Sequence, residues 1–110
     1  MRRLFLMLSL LLPVTLLVSG ASLAQTKLDA SIFSFDGQDF VRTDTTLMQN
    51  GQSAVGTKLD HDGAAYKALV EKHSYTGPAT VLGQNYQANY APLFGANGKL
   101  SGALFVGIPK

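Results

Sequence analysis

The side chains best equipped for chemistry in this sequence are one arginine and four tyrosines. Arg42 lies mid-strand in the alternating stretch Phe40-Val41-Arg42-Thr43-Asp44, and its planar fork of N–H donors matches a carboxylate. Read with a period of two, Phe40, Arg42, Asp44 and Thr46 share one face. Two readings follow. In one, that face lines a pocket and Arg42 grips a ligand. In the other, it is a solvated edge where Arg42 and Asp44 screen one another. Tyr75, Tyr86 and Tyr90 cluster towards the C-terminus, and Tyr66 falls in a helical stretch. An apolar ring with a polar tip suits a pocket wall, and equally a core position whose hydroxyl reaches the surface.

Other chemistries find no support. Gly95-Ala96-Asn97-Gly98-Lys99 does not complete a phosphate-loop pattern, and it joins two strands. His61 and His73 have neither cysteine neighbours nor a zinc-protease context, so no metal site is expected. No serine sits in a nucleophile elbow. Most of the aspartates, including Asp36, Asp60 and Asp62, fall where turns and helix caps call for them. With no cysteine at all, disulfides and thiolate catalysis are excluded. The expectation is a non-enzyme without a cofactor.

The elements that would position Arg42 and the tyrosines are legible. Residues 75–108 read as a three-stranded meander: Pro78–Leu82, Tyr86–Phe94 and Lys99–Ile108. Gly83-Gln84-Asn85 supplies the first turn, and Asn97-Gly98 marks a type I′ hairpin for the second. In the last strand Leu100, Leu104, Val106 and Ile108 are expected on the buried face. Upstream, Ala30–Phe35 and Phe40–Leu47 form a hairpin about Asp36-Gly37, followed by a polar loop at Asn50-Gly51-Gln52 and a short extended return at residues 54–57. One helix follows, N-capped by Asp60 or Asp62, with Tyr66, Leu69, Val70 and His73 on one face. The order predicts an α+β domain, an antiparallel sheet of about five strands with one main helix beside it.

The N-terminus reads differently. Arg2 and Arg3 precede an apolar run from Leu4 to Val18, and Ser22-Leu23-Ala24 fits a cleavage site before Gln25. This predicts a signal peptide over 1–24, a folded domain over 25–110, and a periplasmic or secreted product. The alternative is an uncleaved helix that anchors the chain; the apolar run is short for a span of ~20 residues. Of the nine basic residues, two lie in this leader, leaving seven against seven acidic ones. A domain of zero net charge gives no electrostatic case for nucleic-acid binding.

Several segments together are similar to a known family. Phe40-Val41-Arg42, Val55 to Leu59, Ala65 to Leu69, Tyr75 to Gly83, Tyr86 to Pro92 and Gly102 to Ile108 resemble, in order and spacing, the extracytoplasmic Cache domains of bacterial chemoreceptors and sensor kinases, in particular the Cache 3/Cache 2 fusion type. The resemblance implies a PAS-like fold that binds a small extracellular ligand, such as a carboxylate or another metabolite, and relays it in chemotaxis or other signal transduction. By position it makes Arg42, Tyr75 and Tyr86 pocket residues, with Tyr66 a further candidate from the helix. Family members usually carry a long helix before the first strand; between the cleavage site and Ala30 there is no room for one. The strand Tyr86–Phe94 lacks the further basic residues that dicarboxylate-binding relatives use. The reading is an exported, stand-alone sensory module. Its partner is a small molecule, with a homodimer or a membrane receptor as further partners. The competing reading is a non-catalytic interaction protein or receptor remnant that no longer binds a ligand.

Overall fold

The computed structural model describes residues 27–110; the leader reading, its cleavage site and the length of any helix before the first strand fall outside them. The strands are β1 (Asp29–Phe35), β2 (Phe40–Thr45), the short pair β3 (Met48–Gln49) and β4 (Gln52–Ser53), β5 (Tyr75–Val81), β6 (Gln84–Phe94) and β7 (Leu100–Pro109). The helix α1 spans Ala64–Val70. Five strands form one antiparallel sheet in the order β2-β1-β7-β6-β5, and β3 pairs only with β4. This is the predicted PAS-like arrangement, with the helix packed over β5 and β6.

The turns obey the sequence in kind but not in place. Leu82 and Gly83 both have positive φ (51° and 81°) and join Val81 to Gln84, so the two-residue turn of the I′ type falls there. A leucine in the left-handed region is strained, by about 1–2 kcal/mol. At Asn97-Gly98 only Gly98 has positive φ. The amide of Gly98 donates to the Gly95 carbonyl and that of Gly95 to the Lys99 carbonyl, with a register shift at Leu93/Phe94, so this turn is longer and bulged. The polar loop at Asn50-Gly51 is the turn of the β3–β4 hairpin. Neither aspartate caps α1: the N-cap is Gly63 without a side-chain bond, and Asp60 instead accepts from the amide of Asp62. On the helix Ala65 and Leu69 are buried and Val70 faces outward, and His73, expected on the same face, lies beyond the helix end and is exposed.

The buried face of the sheet is also the other one from that expected in β7. Ala103, Phe105 and Gly107 point inward, while Leu104 and Ile108 are 38% and 47% exposed. The large aromatic ring decides the matter. Phe105 packs between Tyr86 and Tyr90, with ring centroids 5.6 and 5.0 Å away. Two glycines permit the close packing. A Cβ at Gly102 would run into the backbone carbonyl of Phe33, and one at Gly107 would lie 2.6 Å from the Phe105 ring. Phe33 and Phe40 from the sheet and Leu47, Leu59 and Leu69 from the covering segment 46–74 complete the core.

Candidate functional site

Arg42 is held by a fault in β2. The register runs Ser31 opposite Thr45, Ile32 opposite Asp44, then Phe33 opposite Arg42, so Thr43 is an extra residue. This bulge breaks the period of two on which a shared face for Arg42 and Asp44 depended. Arg42 is 2% exposed and points into the core, whereas Asp44 is exposed with Ile32 on the outer face. The two do not pair, and the solvated-edge reading of Arg42 is thereby corrected.

The free edge of β2 is closed by the covering segment. The Arg42 amide donates to the Thr57 carbonyl at 2.9 Å, and its carbonyl accepts from the Gly56 amide at 2.8 Å. Earlier in β2, Val41 bridges Lys58, and the Phe40 carbonyl accepts from the Leu59 amide. That pairing brings the Thr57 hydroxyl to the arginine. Arg42 Nη1 donates to Thr57 Oγ1 at 2.9 Å, Nε donates to Ser31 Oγ at 3.3 Å, and the guanidinium carbon lies 4.7 Å from the centre of the Phe33 ring.

A guanidinium has five N–H donors. These contacts leave one on Nη1 and both on Nη2 without a protein acceptor among the described residues. Among the described residues no carboxylate lies within 4 Å of it, and the salt bridges join Asp39 to Lys58 and to His61. Burial pushes the Arg42 pKa below its ordinary value, while Tyr90 and Tyr86 push it back up. Arginine remains protonated in any case. The inner face thus holds a buried cation with unused donors and no counter-ion among the described residues.

Tyr90 is the next unspent group. It is 1% exposed, and among the described residues no hydrogen bond reaches its hydroxyl. Burial raises its pKa to about 12, against a downward pull from Arg42. Tyr86, two inward positions away on β6, donates to Asp29 Oδ2 at 2.7 Å. Its pKa is also raised to about 12, first by burial and then by the bond to Asp29. Asp29 is itself buried, and its other oxygen accepts from the Thr46 hydroxyl at 2.8 Å.

The structure therefore brings together Arg42, Tyr86 and Tyr90. Tyr75 is the cross-strand partner of Tyr90, but its hydroxyl is spent on the Pro78 carbonyl at 2.6 Å. Its ring helps line a cavity of about 280 Å³ that also reaches Tyr90 and the start of α1. Tyr66 is elsewhere. It stacks on His61 at 4.1 Å and donates to the Gln38 carbonyl at 2.6 Å, tying α1 to the β1–β2 turn. On the Tyr86 side a second cavity, about 270 Å³, is bounded by Asp29, Thr46, Leu47, Leu82 and Tyr86 among others.

Ser31, Thr57 and Asp29 were not foreseen as site residues, and Tyr90, weighed with the other tyrosines as a pocket wall, was not among the positions the resemblance singled out. Tyr90 had a signal: it lies four residues from Tyr86 on one strand, so both must face the same way. Asp29 reads as linker, and only the pairing of Asp29 with Gly107 shows that β1 already includes it.

No group of His, Asp or Glu among the described residues is arranged to hold a metal ion. No helix among them is long and apolar enough to cross a membrane. Comparison with curated proteins and with solved structures returns no match. The family model of the Cache 3/Cache 2 fusion domain, however, matches residues 17–110, which takes in every strand of the sheet, the bulged arginine and both buried tyrosines, and the chain belongs to that family.

Proposed function

We propose that this domain binds a small monocarboxylate at Arg42, roofed by the covering segment and flanked by Tyr90 and Tyr86. The family is one of extracytoplasmic sensory modules that bind small molecules and are not catalytic. The observation that supports a carboxylate is the buried guanidinium with three N–H groups unused and no acid in reach. Buried charges are costly unless paired, and an anionic ligand supplies what the protein omits. The Tyr90 hydroxyl, also unpaired, adds a neutral donor. With one basic side chain on the inner face, the site favours a single carboxylate over a polyanion.

The test is calorimetry with short carboxylates, chosen by a thermal-shift screen. A charge-assisted bond is worth about 1.5–3 kcal/mol, so Arg42→Ala should weaken binding by roughly 10- to 150-fold. Arg42→Lys should rescue only in part, because an ammonium cannot present the fork. Equal dissociation constants for wild type and Arg42→Ala would remove Arg42 from the site.

A second reading, association without ligand binding, draws on the outer face. Ile32, Leu104, Ile108 and Leu93 are all exposed there. Exposed apolar patches beyond a few hundred Å² commonly mark association surfaces. Sedimentation at high concentration decides whether the domain self-associates; a clean monomer counts against self-association.

A further inference from the structure

We infer that the outer face of the sheet is the contact between two copies of this chain, related by a two-fold axis along the cross-strand row Ala30–Val106–Asn89. This deepens the association reading by naming the partner and the register, and it is independent of Arg42, which points to the other side of the sheet. The exposed apolar side chains are symmetric about that row. Val106 is the cross-strand partner of both Ala30 and Asn89. Two residues to either side of it on β7 stand Leu104 and Ile108, 38% and 47% exposed. Two residues to either side of Ala30 stand Ile32 and Leu28, 43% and 55% exposed. Leu28 precedes β1, and by alternation it faces as Ala30 and Ile32 do. A half-turn about the row lays one sheet on the other with their strands antiparallel. It sets Leu104 of one copy on Ile108 of the second, and Ile32 on Leu28. Each contact then occurs twice, as a two-fold interface requires.

Charge and size both favour a second copy. Of the charged residues in the five strands, Asp29 and Arg42 point inward, and only Asp44 faces out, on β2 at the rim of the patch. The polar residues between the apolar ones, such as Ser34, Gln87 and Asn89, are neutral. A nucleic acid or an anionic surface finds no counter-charge here, whereas an identical neutral face meets no repulsion. Five strands about 4.8 Å apart, each of about eight residues at about 3.4 Å, present a face of about 700 Å². Each partner of a stable complex contributes roughly 800 Å².

The other way for a sheet to recruit a copy, growth at its edges, is closed on both sides. The edge of β2 is paired with Gly56, Thr57 and Leu59 of the cover. On β5 the two-residue turn makes Val81 and Gln84 a hydrogen-bonded pair, so Thr80, Pro78 and Thr76 turn their backbone groups to the free edge. Pro78 has no N–H to give there, and its carbonyl accepts from the Tyr75 hydroxyl at 2.6 Å. The middle of that edge thus offers an incoming strand neither donor nor free acceptor. The outer face, by contrast, has a groove of about 380 Å³ beside Ile32 and Leu104, where Leu28 and Ile108 of the second copy seat.

The experiment combines sedimentation of the exported protein with cross-linking of single-cysteine variants. Wild type should sediment as a dimer. Leu104→Asp should raise the dimer dissociation constant by about 100-fold or more, because the change acts twice in a two-fold interface. Ile108→Asp gives the same reading if Leu104→Asp folds poorly. The chain has no cysteine, so introduced ones report the register. Packed sheets stand about 10 Å apart, beyond the reach of a disulfide, so the probe is a short bismaleimide. Val106→Cys should couple to itself, and Leu104→Cys mixed with Ile108→Cys should couple several-fold faster than either alone. A wild-type monomer at high concentration overturns the proposal, whatever else comes to cover the face. A dimer that both aspartate variants leave intact, or in which the mixed pair couples no faster than the single variants, also overturns it, although association itself then survives. Binding at Arg42, read by calorimetry, stands or falls apart from either result.

Discussion

Arg42→Met separates a binding arginine from a structural one. Methionine fills a similar volume without charge. The substitution removes a 2.9 Å bond to Thr57, a longer one to Ser31 and the contact with the Phe33 ring. It orphans neither partner. Ser31 Oγ still pairs with Thr45 Oγ1 at 2.7 Å, and Thr57 Oγ1 still donates to the Ala54 carbonyl at 2.7 Å. Against the lost bonds stands the cost of burying a cation with no counter-ion. Replacing buried charged groups by apolar ones of similar size is often neutral, or stabilising by about 1–4 kcal/mol. The ligand-free variant should therefore match wild type within about 1 kcal/mol or exceed it, and 1 kcal/mol shifts the midpoint of a domain this size by about 4–8 °C.

Binding should move the other way. A ligand at a hundred times its dissociation constant stabilises wild type by about 2.7 kcal/mol. If the variant binds roughly 10- to 150-fold more weakly, the same concentration gives it only about 0.3–1.4 kcal/mol. Urea unfolding of both proteins, with and without ligand, reads both quantities together. A loss of more than about 2 kcal/mol without ligand, with the ligand increment preserved, would refute the reasoning and make Arg42 a clamp between sheet and cover.

Tyr90→Phe removes a buried hydroxyl that has no partner, so it should leave the empty domain as stable or more so and weaken ligand binding; unfolding and calorimetry check the pair. Gly102→Ala would press a methyl group into the Phe33 carbonyl across a central strand pair, and should cost at least about 2 kcal/mol, read from the denaturation midpoint. Stability should fall as pH rises from about 10 to 12. Tyr86 and Tyr90 keep their protons to about 12 when folded. The unfolded chain releases them near 10, so it binds fewer protons and each tyrosine contributes a slope of about 1.4 kcal/mol per pH unit. Phenolate absorbance should accordingly show Tyr86 and Tyr90 titrating late, checked against Tyr86→Phe and Tyr90→Phe. Mass spectrometry of the exported protein should find a chain that begins at Gln25, whereas the full-length chain in the membrane fraction would favour the anchor reading.

The sheet was legible because hairpins advertise themselves locally. Alternation and turn residues placed the strands along the chain, and three- and four-residue spacing placed the single helix. Which face of β7 is buried was not legible, because Leu104 and Ile108 outweigh Ala103 and Gly107 in hydropathy. The choice was made by Phe105 and by glycines whose value is that they let other chains approach. The environment of Arg42 was missed for a related reason. A bulge at Thr43 is set by the partner strand and by the covering segment, neither of which a window around Arg42 contains. Arg42 and Tyr86 could be named in advance from their place in a recurring pattern. Ser31 and Thr57 come from residues eleven and fifteen positions away in the chain, through side chains that are unremarkable in sequence.

The same long-range geometry bears on how such a domain reports occupancy. Arg42 is the point where sheet and cover meet: its backbone pairs with Gly56 and Thr57, and its side chain is held by Thr57. Thr57 in turn is fastened to Ala54, and Ala54 to Leu47, so one short chain of bonds runs from the guanidinium through the start of the cover to the end of β2. A ligand can shift a conformational balance only by as much as it binds one state better than another. Here the state with the cover closed supplies Thr57 to the arginine, and the unused donors remain for an anion. On the proposed site, a carboxylate that takes those donors without displacing Thr57 should protect the amides of Gly56 and Leu59 from hydrogen exchange, and one large enough to evict Thr57 should expose them. Equal protection by small and large carboxylates would refute this dependence on ligand size.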